Sequence, residues 1–189
     1  MDEVETPLRR YSATAMAFHW ITAAVVLAAF IMGPGGSEQR VYSAARDFDR
    51  QIHEVLGLTV FGVSLLRLLW RTYARVPPLP PMPSWMHRAS KIVQGLLYAL
   101  LIVTPVSAIA GAWLEGHPLT LGTLGNVPPM IPEFHAAGQV VANIHTYLGD
   151  AIVWLAGLHA AAALFHHFVL HDGVLLSMLP RAGTPARLP

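Results

Sequence analysis

Ile144-His145-Thr146-Tyr147-Leu148-Gly149-Asp150-Ala151-Ile152-Val153-Trp154-Leu155-Ala156-Gly157-Leu158-His159-Ala160-Ala161-Ala162-Ala163-Leu164 is an apolar run that carries two histidines fourteen residues apart. On an α-helix that interval is a rise of about 21 Å and a rotation about 40° short of four turns. His145 and His159 therefore face one way at two depths. The run extends from about residue 142 to 170, longer than the roughly 20 apolar residues needed to cross bilayer hydrocarbon. An Arg, Lys or Asp at that depth costs about 2.5 to 3.5 kcal/mol on insertion scales, so an ionisable residue there points to function. Neutral imidazole is cheaper to bury and is an iron ligand.

The rest of the chain has the same character. Hydrophobic residues make up 54% of the 189 positions and charged residues 12%, a membrane-protein composition. Further spans are expected near 14 to 33, 51 to 71 and 91 to 113. Gly33, Pro34, Gly35 and Gly36 end the first, and Pro77, Pro78, Pro80, Pro81 and Pro83 separate the second from the third. The predicted fold is an all-α, four-helix antiparallel transmembrane bundle, a single domain over residues 1 to 180 with a disordered cytoplasmic tail at 181 to 189. Its one long connection is expected at about 114 to 141. Residues 1 to 33 contain His19 and lack a small-residue cleavage site, so the first span is read as a retained helix and not a signal peptide. Cysteine is absent, which excludes disulfides, thiolate-ligated haem and Cys-held clusters.

Basic residues set the expected orientation. Arg9 and Arg10 precede the first span; Arg67, Arg71, Arg75, Arg88 and Lys91 fall in or near the Pro-rich connection; Arg181 and Arg187 follow the fourth span. The connection between spans three and four has no Lys or Arg. The positive-inside rule then puts both termini in the cytoplasm. In the first outer loop Arg40, Arg46 and Arg50 are offset by Glu38, Asp47 and Asp49.

With that topology the histidines form two facing pairs, His53 with His145 near the outer surface and His19 with His159 nearer the cytoplasm. Facing side chains in a bundle core are where cofactors are built. Two imidazoles fill both axial positions of a haem iron, so two stacked haems are expected, giving an electron path through the membrane. Gly57 and Gly149 each lie four residues beyond an outer histidine, on the same face one turn along. They either admit a flat ring or let helices pack closely.

Arg67, fourteen residues beyond His53, returns to that face at the inner level and is placed to pair with a haem propionate. Arg71 and Arg75 fit better as headgroup contacts. His166 shares the face of His159 and competes for the inner role. His167 and His171 read as interfacial, and His87, His117 and His135 as solvated loop residues.

These residues resemble the bacterial cytochrome b561 family, di-haem four-helix membrane proteins related to hydrogenase cytochrome b subunits. The resemblance is carried by Arg10-Tyr11-Ser12 with His19-Trp20, Ile52-His53-Glu54 with Gly57, Arg67-Leu68 to Arg71 before Pro77-Pro78, Leu97-Tyr98 to Pro105, Ile144-His145, Gly157 to His167, and Met178-Leu179-Pro180-Arg181. It covers about residues 10 to 181 and implies one haem b on His19 and His159 and another on His53 and His145. Family members often carry a histidine four residues before the span-three tyrosine, where this chain has Gln94, so no quinone role transfers there. For Asp150, a proton relay and contact with the aqueous rim both fit.

The resemblance implies an oxidoreductase of the bacterial inner membrane that oxidises superoxide at the outer face and reduces ubiquinone, with Arg40, Arg46 and Arg50 as candidates to steer the anion. A different role is the haem-bearing membrane anchor of a hydrogenase or dehydrogenase, passing electrons between that partner and quinone. A purely protonic role for the histidines leaves their matched depths, the two glycines and Arg67 unexplained. Lipid is the expected surroundings, and no nucleic-acid partner is expected.

Overall fold

The computed structural model describes residues 10–74, 77, 78 and 81–180. Arg9, Arg75, Pro80 and the 181–189 tail with Arg181 and Arg187 lie outside the described residues. The elements are α1 (Ala13–Met32), a short α2 (Glu38–Val41), α3 (Asp47–Tyr73), α4 (Ser84–Leu114), a hairpin of β1 (Leu119–Thr120) and β2 (Asn126–Val127), and α5 (His135–Phe165). Four of the helices are long and apolar enough to cross a membrane. The architecture is a four-helix bundle, and the hairpin is the one strand pairing among the described residues.

Local chemistry fixes most of the ends. Ser12 caps α1, its hydroxyl accepting from the Ala15 N–H at 3.2 Å. Gly35 and Gly36 then take left-handed φ values of 53° and 101° to turn the chain. Asp47 and Asp49 stand in the first turn of α3, where carboxylates oppose the helix dipole. Pro83 is the N-cap of α4. After Phe165 the chain continues as a π turn over His166–Leu170, closed by His171 in the left-handed region at φ 53°.

Three helices begin earlier than their apolar runs: α3 by four residues, α4 and α5 by seven each. The extra turns are the amphipathic parts that leave the hydrocarbon, such as His87, Arg88 and Lys91 on α4. An apolar-run criterion stops where charge begins, whereas the backbone keeps its hydrogen bonds into the interface. The long connection shrinks accordingly to residues 115–134. His87 and His135 are helical, not loop residues.

The helices pair as α1 with α3 and α4 with α5, with α3 joining the pairs through α4. By contrast α5 meets α1 only sparsely and α3 scarcely at all. The bundle is open along that diagonal. Val60, Leu101 and Ile152 form its buried centre, flanked by Val25, Val26, Leu97, Leu100 and Val153. Large apolar side chains such as Ile31, Leu66, Trp154 and Phe168 point outward, the inverse of a water-facing surface and suited to lipid.

The close α4–α5 approach rests on glycine. A Cβ on Gly111 would meet the Ala142 backbone N at 3.3 Å, and one on Gly138 would meet Glu115 Cγ at 2.6 Å and the Leu114 backbone at 3.1 Å. Around Gly62, on α3, nothing lies within 4 Å. Gly138→Ala is therefore expected to destabilise the bundle by about 1–3 kcal/mol. Gly62→Ala should be neutral or gain up to about 1 kcal/mol of helix propensity. Thermal unfolding followed by circular dichroism in detergent separates the two, and an unchanged melting temperature in Gly138→Ala would refute the close contact.

Candidate functional site

The diagonal opening is bridged by histidine rings. His53 on α3 and His145 on α5 have ring centroids 5.9 Å apart with planes crossed at 79°. His19 on α1 and His159 on α5 stand 6.2 Å apart at 73°. Two imidazoles on opposite sides of one metal, each with a nitrogen–metal bond of about 2.0–2.1 Å, have centroids roughly 6.3 Å apart. Both pairs have that spacing.

The hydrogen bonds of the outer pair decide which nitrogen is free. The α1 helix ends at Met32, so the Ala29 carbonyl is one of its last-turn acceptors without a helical donor. His53 Nδ1 lies 2.8 Å from that oxygen. His145 Nδ1 lies 3.0 Å from the Thr104 carbonyl, beside Pro105, which interrupts the α4 ladder by lacking an N–H. Ser107 Oγ donates to the same carbonyl at 2.7 Å. A carbonyl can only accept, so in both rings Nδ1 carries the proton and Nε2 keeps its lone pair. This is the arrangement that orients a metal-binding histidine.

Between these rings lies a cavity, open at one side. Its wall is almost wholly apolar and includes Gly57 and Gly149. A Cβ at either glycine would meet nothing within 4 Å, so close helix packing, which accounts for Gly111 and Gly138, does not account for these two. Thr104 Oγ1, also in the cavity wall, is buried and has no hydrogen-bond partner among the described residues. Paired imidazoles, side-chain-free faces and an apolar slot are what a flat haem requires, and the residues fit that group.

At the inner end His19 and His159 make no hydrogen bond among the described residues. Trp20 stands edge-on to His19 at 5.1 Å and donates its indole N–H to the Met178 carbonyl at 2.9 Å. Arg67 stands in the C-terminal part of α3 at this end of the bundle. Its guanidinium lies 5.2 Å from the Tyr98 ring centre, with Arg71 at 5.3 Å from the same ring and 3.2 Å from its hydroxyl. Burial pushes the nearby Tyr11 hydroxyl above its ordinary pKa, against the pull of Arg71 and Arg67. His166 does not join this group. Its Nδ1 is paired with Asp172, which the π turn and His171 fold back against it.

The first outer loop differs from its sequence reading. Arg46 pairs with Asp49 at 2.9 Å, and Arg50 pairs with Asp47 and with Glu54, the latter at 2.6 Å. Of the three arginines expected to steer an anion, Arg40 alone forms no ion pair among the described residues. Asp150 is exposed on the outside of α5.

His117 and His135 are not free in solvent but share one carboxylate partner. Their Nε2 atoms lie 2.9 and 3.0 Å from the two carboxylate oxygens of Glu38, and Tyr42 stacks on His117 with centroids 3.4 Å apart. Spacing gave no signal for this cluster, since Glu38 and His117 are 79 residues apart. Nor did it reveal the Ala29 carbonyl, left free by a helix end, or the Thr104 carbonyl.

Comparison with known proteins identifies the family. A family profile described as prokaryotic cytochrome b561 matches residues 10–181. Cytochrome b561 homolog 1 of Escherichia coli is 30% identical over 92% of this chain and 99% of its own length. A Yersinia pestis protein named probable superoxide oxidase CybB is 28% identical over 92% and 97%, and cytochrome b562 of Cereibacter sphaeroides is 30% identical over 89% and 94%. With the match running through all four long helices and both histidine pairs, the chain belongs to the prokaryotic cytochrome b561 family of membrane electron-transfer proteins.

Proposed function

We propose that this protein is a di-haem b electron carrier of the bacterial inner membrane that oxidises superoxide at its outer face and reduces ubiquinone. The observation that carries the reading is the pair of histidine couples, 5.9 and 6.2 Å between ring centres, at two depths of one bundle. Residues 1 to 180 act as one domain, with both termini cytoplasmic as the basic residues argue.

In this reading His53 and His145 hold the outer iron through Nε2, and His19 and His159 hold the inner one. Ala29 and Thr104 fix the ring orientation of the outer ligands through their carbonyls. Gly57 and Gly149 leave the slot clear for the ring face. Arg67 pairs with a propionate at the inner site. When bound, haem at each histidine pair would supply a one-electron station, chemistry suited to electron transfer.

Arg40, which forms no ion pair among the described residues, is the cation the first outer loop offers to an approaching small anion. Superoxide is favoured because a relative of nearly full length bears that activity in its name. Ubiquinone follows from the family's role in quinone-linked electron transfer.

The direct test is anaerobic stopped-flow spectroscopy of the purified protein. A superoxide pulse should reduce the haems within the mixing experiment, and added ubiquinone should reoxidise them. Reduction by quinol with no response to superoxide would exclude the proposed donor.

The ligand assignment makes a separate prediction. Pyridine haemochromogen analysis should give two haems b per chain, with His53→Ala or His145→Ala losing one and keeping about half the α-band. His159→Ala should lose the inner haem, whereas His166→Ala, whose parent ring is held by Asp172, should keep the low-spin bis-histidine electron paramagnetic resonance signal. One haem in the wild type, or the reverse pattern in the two variants, would overturn the pairing.

Arg67 can be judged by redox titration. A unit charge about 10 Å away is worth roughly 1–2 kcal/mol at an effective dielectric near 20, or several tens of millivolts for one electron. Arg67→Ala should lower the inner potential by that amount and slow quinone reduction. Arg67→Lys should do less, because the bidentate fork is lost while the charge remains, and Arg71→Ala should do little. Unchanged potentials at full haem content in Arg67→Ala would remove its propionate role.

A further inference from the structure

Glu38, Glu115 and His117 bring three potential ligand atoms within 4.8 Å of one another. They come from three separate places: α2, the turn after α4, and the following connection. His135, the first residue of α5, reaches the same carboxylate, its Nε2 lying 3.0 Å from Glu38 Oε2. The second observation is Glu115 itself. Its residue is 9% exposed, its Cγ is packed against Gly138, and its carboxylate makes no hydrogen bond or ion pair among the described residues. A carboxylate on so enclosed a residue, beside another carboxylate and an imidazole, has no counter-ion among the described residues.

We propose that Glu38, Glu115 and His117, with His135 as the fourth donor, bind one divalent transition-metal ion of the zinc type at the outer rim of the bundle. Two imidazoles with two carboxylates are a donor set that zinc accepts in tetrahedral form, with nitrogen and oxygen bonds of about 2.0–2.2 Å. Magnesium and calcium require more oxygen donors and do not favour imidazole. The ion would supply the missing positive charge beside Glu115. It would also tie α2, the post-α4 turn and the start of α5 together over the mouth of the bundle. Tyr42, stacked on His117, holds that ring in place. Histidine pairs ligating the haems are not used, so the site stands apart from the electron path.

The test uses the full-length, haem-loaded protein without a polyhistidine tag, freed of metal by chelator and dialysed against zinc. Plasma mass spectrometry should find one zinc per chain beyond the haem iron. Zinc K-edge absorption should show two imidazoles in a four-coordinate nitrogen and oxygen shell. Glu115→Gln, close in shape to the native residue and retaining the Glu38 contacts to both histidines, should weaken zinc binding at least about tenfold, as should His117→Gln. His171→Gln should not.

Zinc should raise the melting temperature of the wild type, and that of Glu115→Gln by less at the same concentration. Millimolar magnesium should not compete. No stoichiometric zinc in the wild type, a spectrum without imidazole, or an affinity unaltered in both variants would each overturn the proposal. The wild-type stoichiometry and spectrum decide the matter even where a variant fails to accumulate.

Discussion

Inside a bilayer every polar atom must find its partner within the protein, because no water is there to supply one. In this chain the constraint falls on four imidazoles. His53 meets it with the last-turn carbonyl of α1, and His145 meets it with a carbonyl beside the proline of α4. Each solution consumes one ring nitrogen and turns the other toward the space between the helices. The bundle stays open along the α1–α5 and α3–α5 diagonal. The ordered parts of the interior therefore follow from where the ring nitrogens had to go.

The two ends of the bundle are closed by different means. At the inner end the backbone does the work: Tyr11 N–H donates to the Ser177 carbonyl at 3.1 Å, Arg10 to that of Leu179 at 2.6 Å, and Trp20 to that of Met178. At the outer end ionisable side chains close the structure. Glu54 accepts the Thr120 N–H at 2.7 Å and pairs with Arg50, while Glu38 bridges His117 and His135. Burial and the charge of Glu38 together push the Glu115 carboxyl above the usual range, against the pull of both histidines.

How far this could be read in advance depended on whether a feature is periodic. The relation of His145 to His159 is a property of helix pitch and survives intact. So does the count of spans, which needs only apolar length. Helix ends were less legible, because α4 and α5 run seven residues into polar interface before the apolar stretch begins. His166 shares the phase of His159, and only the chain reversal at His171 gives it to Asp172. Gly57 and Gly149 look like packing glycines until the empty space around them is seen. The outer cluster depends on contacts across most of the chain and leaves no local trace.

The Val60, Leu101 and Ile152 layer has a bearing on energetics. Ile152 lies seven residues from both His145 and His159, so the layer sits midway between the two couples, and none of its packed neighbours is ionisable. A proton has nothing to step on there, while an electron needs no such foothold. On the proposed orientation, an electron passing inward carries negative charge toward the negative side of an energised membrane. Full traversal would cost about 2.3 kcal/mol for each 100 mV, so the membrane voltage acts as a brake on inward flow, and the driving force left for the acceptor varies with how strongly the cell is energised.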